Sequence, residues 1–257
     1  MTNSHATVSG SAPTPAQMKE FFTQVENGKI DKVRFQEFLR GRSGRAEPND
    51  ARLIVSRENF FGPEEWTAYF GHHAPVKEVP IPRIPWTLDE MAQANELQRH
   101  FLFLGNDTLD KKPLNLDLLM KMYGHKSAPS VHASGYSVVG NAFTYEVCEL
   151  RWYFVPIGPI KNIARMTYKK QVDQIADEYE PMTAVTRVLA NILYFLINGE
   201  YMDHSHWFRT KSMTNDGWRI VLNASKPDNI DLMRWADSEY SDVVNLAISR
   251  KSWSLKK

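Results

Sequence analysis

Hydrophobic positions along the chain change period several times, and each change marks an element. Met18, Phe21, Phe22 and Val25 recur at helical spacing. They follow Thr14, Pro15 and Gln17, which suit an N-cap, a first helical residue and a reciprocal capping partner. Asn27-Gly28 stops that helix. Ile30, Val33, Phe35, Phe38 and Leu39 then predict a second helix ending near Gly41. The result is an N-terminal helical hairpin over residues 13–41, too small for a core of its own. Its turn has the shape of half an EF-hand, but Val25 and Arg34 stand where calcium needs oxygen ligands, which excludes that ion. Residues 1–12 lack any apolar period and are expected to be a disordered tail.

Residues 42–52 are rich in arginine, with a glycine and a proline, and read as a linker; the main domain is expected over 53–257. Phe61–Gly71 predicts a two-turn helix, with Pro63 near its start and Gly71 past its end. Four prolines make Ala74–Trp86 an extended strap over the surface, a shape that also suits a ligand for a partner's aromatic groove. Thr87 and Glu90 form a capping box that opens a helix through Leu97. His100–Gly105 reads as a buried strand, and Leu114–Tyr123 as a helix. In Phe143–Gly158, Cys148, Leu150, Trp152 and Phe154 share one face of a strand, with Glu149, Arg151, Tyr153 and Val155 on the other. Two long helices are predicted over Ile160–Tyr179 and Met182–Asn198. The second is apolar over too wide an arc for a surface helix and belongs in the core. A short helical turn near Ile230–Ala236 and a strand near Val243–Ser249 complete the pattern. The expected fold class is α+β: an antiparallel or mixed sheet packed against two long helices, with the N-terminal hairpin.

The stretch Gly199–Val221 carries the candidate chemistry. Asn215-Asp216-Gly217 suits a three-residue hairpin loop closed by Gly217 at positive φ. That register sets Thr214 opposite Trp218, Ser212 opposite Ile220, Thr210 opposite Leu222 and Phe208 opposite Ala224. A two-residue loop would place Lys211 and Arg209 on the apolar face, where unpaired cations are costly. His204, His206 and Phe208 are therefore expected to face inward, and Trp207, Arg209, Lys211, Arg219 and Val221 outward. Asp203, His204 and His206 form a candidate site for a divalent metal, since two same-face histidines and a carboxylate approach a catalytic zinc set. Trp207, Arg209, Lys211 and Arg219 form a candidate nucleic-acid or phosphate-binding patch, in which cations meet phosphates and a base stacks on the ring.

Composition narrows the classes. The 257 residues carry 31 basic and 30 acidic side chains, a net charge of +1, so the chain as a whole has no electrostatic pull toward nucleic acid or an anionic membrane. A single cysteine, Cys148, forms no internal disulfide and no Cys-rich zinc site, and it suits a reducing, cytoplasmic setting. The most apolar run, Val188–Ile197, is about half of what spans a bilayer, so no membrane partner is expected. No phosphate-binding glycine loop and no G-x-S-x-G elbow occurs.

The segments Cys148–Pro156, Thr214–Leu222, Met18–Gly41, and "HFLFLG" followed by "PLNLDLL" resemble a family of uncharacterised bacterial proteins of about this length. The resemblance implies one inherited unit. That family has no established activity, so it transfers no catalytic residue. The functional expectation is a non-enzymatic binding or interaction protein, with a protein partner or a nucleic-acid phosphate backbone and no cofactor. The alternative is a metal-dependent hydrolase at residues 203–206.

Overall fold

The computed structural model describes residues 14–29, 45–71, 80–124, 128–133, 141–226, 229–237 and 244–252. The chain divides into two compact units, residues 1–45 and 46–257. In the first unit, helix α1 spans Pro15–Glu26 and ends before Gly28, which sits at φ 68°. The second arm expected at Ile30–Gly41, and the tail at 1–12, lie outside the described residues.

The second unit is a mixed α and β fold. Its helices are α2 (Pro48–Val55), α3 (Pro63–Phe70), α4 (Leu88–Leu97), α5 (Leu116–Tyr123), α6 (Tyr168–Gln174) and α7 (Ala184–Asn198). Its strands are β1 (Phe60–Phe61), β2 (His100–Leu104), β3 (Thr108–Leu109), β4 (Lys112–Pro113), β5 (Ser130–Ala133), β6 (Trp152–Pro156), β7 (Tyr179–Pro181), β8 (Trp207–Met213), β9 (Arg219–Lys226), β10 (Asn229–Trp235), β11 (Val244–Leu246) and β12 (Ile248–Arg250). They build a three-stranded sheet in the order β1-β2-β6, a five-stranded sheet in the order β11-β8-β9-β10-β5, and two small pairs, β7-β12 and β3-β4. Both larger sheets are mixed: β1-β2, β10-β5 and β11-β8 run parallel, the remaining neighbours antiparallel.

Local chemistry explains the boundaries. Glu90 donates its N–H to the Thr87 hydroxyl, and the Glu90 carboxylate accepts the Thr87 N–H at 2.8 Å, closing the capping box that starts α4. At the start of α3 the Glu65 carboxylate makes one half of such a box, accepting the Gly62 N–H at 2.8 Å; Gly62 has no side chain to return it. Helix α7 begins at the Thr183 cap and ends at Gly199, whose φ of 71° is left-handed. Residues Ala184–Tyr194 of this helix are all buried. It touches β2 of the smaller sheet and β8 and β9 of the larger one, so its wide apolar arc is matched by sheet on more than one side. No helix among the described residues is long and apolar enough to cross a membrane.

Several expectations are corrected. The second unit opens at Ala46 rather than 53, because residues 48–52 fold into α2, which buries Ala51 and Val55. Of two long helices, one forms. The stretch Ile160–Tyr179 yields only the seven-residue α6, because Asn162 and Arg165 adopt positive φ ahead of it and Thr167 caps it late. Ile230–Ala236 is strand rather than helix: Ile230 and Leu232 alternate with Asp231 and Met233, a period of two. The described part of the Pro-rich strap is anchored in the core. Ile84 and Trp86 are buried, Pro82 accepts the Trp152 indole N–H at 2.7 Å, and the Trp86 indole donates to the Lys251 carbonyl at 2.9 Å. The strand predicted at Val243–Ser249 divides at Ala247, where the chain passes from β8 to β7. The Ala247 N–H donates to the Arg209 carbonyl, and the Ala247 carbonyl accepts from Met182.

Candidate functional site

The hairpin turn forms as the spacing predicts. Gly217 has φ 84°, and Thr214 donates its N–H to the Trp218 carbonyl at 2.8 Å. Met213 pairs with Arg219 in that register, but Phe208 pairs with Leu222 and Arg209 with Val221, so the ladder slips by two residues in between. Within this irregular stretch the Lys211 N–H donates to the Met182 carbonyl.

The cationic face does not look into solvent. Arg209 is fully buried and Arg219 nearly so, at 0% and 8% exposure. Residues between β6 and α6, with α6 itself, fold over this face, where Ile163, Leu246 and Ile248 make a small second core. The Arg209 guanidinium donates to the Met166 carbonyl at 2.8 Å and the Gln171 side-chain oxygen at 3.3 Å. Gln171 in turn donates to the carbonyls of Ile163 and Val244. Arg219 holds Asp237 through two 3.0 Å contacts, donates to the Lys211 carbonyl at 2.7 Å and stacks over the Tyr168 ring. Val221 is buried and Trp207 half-buried, so of the expected patch Lys211 alone keeps an exposed side chain. Sequence periodicity reads one strand at a time and carries no signal for a second layer.

The Asp/His cluster is also rearranged. Strand β8 starts at Trp207, so His204 and His206 precede it and do not share a strand face. The Asp203 carboxylate accepts from His206 Nδ1 at 3.0 Å and from the Ser205 N–H at 2.7 Å. His204 instead directs Nδ1 to the Ala224 carbonyl at 3.2 Å. The structure brings Asp203 and His206 together and leaves His204 apart. Among the described residues, no group of three or more His, Cys, Asp or Glu side chains is arranged to hold a metal ion.

A different place gathers polar groups in a concave, largely apolar setting. A groove of about 440 Å³ lies among the end of α4, the end of β6 and the segment after it, the end of α6, and strands β7 and β12. Leu97, Pro156, Pro159, Ile160, Ile175 and Ile248 contribute apolar wall. His100 and Tyr179 belong to the lining too. The His100 ring is stacked on Phe154, with centroids 4.4 Å apart. Its Nδ1 lies 2.6 Å from the Gln98 carbonyl, which can only accept, so Nδ1 carries the hydrogen. Nε2 is then the acceptor for the Tyr179 hydroxyl at 3.0 Å. Burial pushes the His100 pKa down from 6.5 to about 4; the Gln98 carbonyl opposes that shift and the Arg250 charge reinforces it. Burial likewise raises the Tyr179 hydroxyl. The result is a neutral, hydrogen-bonded pair that neither donates a proton readily nor takes one. The sequence signal was available: His100 is the one polar residue in an otherwise apolar strand. Nothing in the chain linked it to Tyr179, 79 positions away.

This histidine makes stability pH-dependent. Between pH 6.5 and about 4 the unfolded chain takes a proton that folded His100 refuses. Its contribution is therefore complete above pH 6.5 and is lost as the pH falls toward 4, at up to about 1.4 kcal/mol per pH unit. The expected result is that the urea midpoint of His100→Gln falls less steeply than that of wild type over this window. Parallel curves would remove His100 as the source.

The remaining candidates are inert. Cys148 is a free, fully buried thiol that burial pushes up to about 12, so it does not supply a thiolate. A second hollow of about 370 Å³ is lined by Tyr69, Phe70, Leu118 and Tyr123, with Asp110 and Lys112 also in the lining. Compared with known proteins, the chain matches no family model, no curated protein and no solved structure.

Proposed function

We propose that this chain is a non-enzymatic binding protein whose ligand is a small, mostly apolar molecule held in the groove beside His100 and Tyr179. The observation that carries this reading is the groove itself: concave, walled by leucine, isoleucine and proline, with a fixed neutral pair in its lining. The pair favours binding over catalysis, because its histidine is held far from the range where a general base works at neutral pH. A free thiol at Cys148 is compatible with action in the cytoplasm. The phosphate-backbone version has lost its support, since Arg209 and Arg219 are committed to internal partners. For the hydrolase version, Asp203 and His206 find no third ligand among the described residues.

The reading is tested with a neutral apolar dye, N-phenyl-1-naphthylamine. Wild type is expected to enhance its fluorescence saturably, at one site. Ala176→Trp places an indole in the groove from an exposed position and is expected to abolish that signal while leaving the circular dichroism spectrum unchanged. A dye signal that is absent in wild type, or indifferent to Ala176→Trp, would refute the groove as the binding site.

A further inference from the structure

Among the described residues, the lining of the groove carries a single formal charge. His100 is neutral, no carboxylate among the described residues lines the site, and the remaining described members are apolar or amide side chains, apart from the Tyr179 phenol and Lys161. The Lys161 side chain is exposed, and among the described residues no ion pair engages its ammonium. Its backbone is held in place by its neighbour. The Ile160 N–H donates to Asn245 Oδ1 at 3.2 Å, and Asn245 Nδ2 donates to the Ile160 carbonyl at 3.1 Å, a two-point clamp. Asn245 is itself buried at 2% exposure, so the clamp is a fixed part of the interior. An apolar trough whose one cation meets no ion-pair partner among the described residues complements an apolar body bearing one negative charge. The anion class narrows further. One positive charge balances a monocarboxylate, whereas a phosphate monoester carries about −1.5 to −2 at neutral pH and would keep excess charge against the apolar wall. At about 30 Å³ per water-sized group, the trough of about 440 Å³ has room for roughly fifteen heavy atoms.

We propose that the groove binds a monocarboxylate with an apolar body of medium length, the carboxylate on Lys161 and the body along the trough beside Tyr179. This rests on the groove reading above and adds the class of ligand. Calorimetric titration of the full chain with octanoate, decanoate and dodecanoate, all below their micelle concentrations, tests it beside decanol and decyltrimethylammonium. Decanoate is expected to bind more tightly than decanol, and decanol more tightly than the cation. Affinity should rise about three- to fourfold per methylene until the trough is full. Lys161→Gln is expected to weaken decanoate about three- to fivefold and to leave decanol unchanged. Lys161→Glu should reverse the preference toward decyltrimethylammonium. If decanoate and decanol bind alike, or Lys161→Gln leaves decanoate unchanged while Ala176→Trp still abolishes decanol, the carboxylate assignment is overturned and the groove stands. If none of the amphiphiles binds, both are overturned.

Discussion

Arg209→Ala is expected to lower the stability of the fold by about 3–5 kcal/mol, read as a large drop in the urea midpoint. Three physical losses add. The side chain is wholly buried, so truncation leaves a cavity where α6 and the preceding segment pack on β8. The Met166 carbonyl loses a charge-assisted donor at 2.8 Å. Gln171, also fully buried, loses the partner of its side-chain oxygen while its amide remains tied to Ile163 and Val244. Lys211→Ala, two positions along, removes an exposed side chain and is expected to change stability by less than about 0.5 kcal/mol. Equal, small effects of the two changes would mean that Arg209 is solvated after all and available to a ligand.

Arg187→Met points the other way, with an expected gain of about 1–3 kcal/mol. Arg187 lies at 1% exposure within α7, and its Nε has no hydrogen-bond partner. Among the described residues no ion pair reaches it; Asp203 acts on it only as a nearby charge. Burial brings its pKa down to about 10. It also sits in the first turns of the helix, where the partial charge of the backbone is positive and repels a cation. Against these costs stands its stacking over the Phe208 ring at 4.2 Å, worth about 2 kcal/mol when desolvated. Desolvation of an unpaired charge costs several kcal/mol, so the cost exceeds that gain. Methionine keeps similar apolar bulk against Phe208 without the charge. A thermal melt of Arg187→Met that falls below wild type would show that the guanidinium holds an anion or an ordered water in the folded state.

Elements whose reasons are local were legible in the chain. Thr87 and Glu90 are three residues apart, and their capping box needs nothing distant. Gly217 and Gly199 mark a turn and a helix end through their own backbone conformations. The breadth of the apolar arc in α7 announced its burial. What failed depended on contacts between segments far apart. The faces of β8 were assigned as if one side met water, yet Ile163, Leu246 and Ile248 close over it. The groove was invisible for the same reason: Leu97, Ile160, Ile175 and Ile248 come from four separate stretches with no shared spacing. Isoleucine and arginine each read as ordinary where they stand in the chain; their meaning is set by what packs above them.

The Trp86 indole and the Lys251 carbonyl that accepts it are 165 positions apart. At a synthesis rate of roughly 5–20 residues per second, about ten to thirty seconds pass between the making of one and the arrival of the other. In the last part of that interval, once residues 179–213 have been made, β8 still lacks its parallel neighbour β11, and β7 lacks β12. A nascent chain on the ribosome therefore waits with its five-stranded sheet open at one edge and β7 unpaired, and its native form closes only after residues 244–252 emerge.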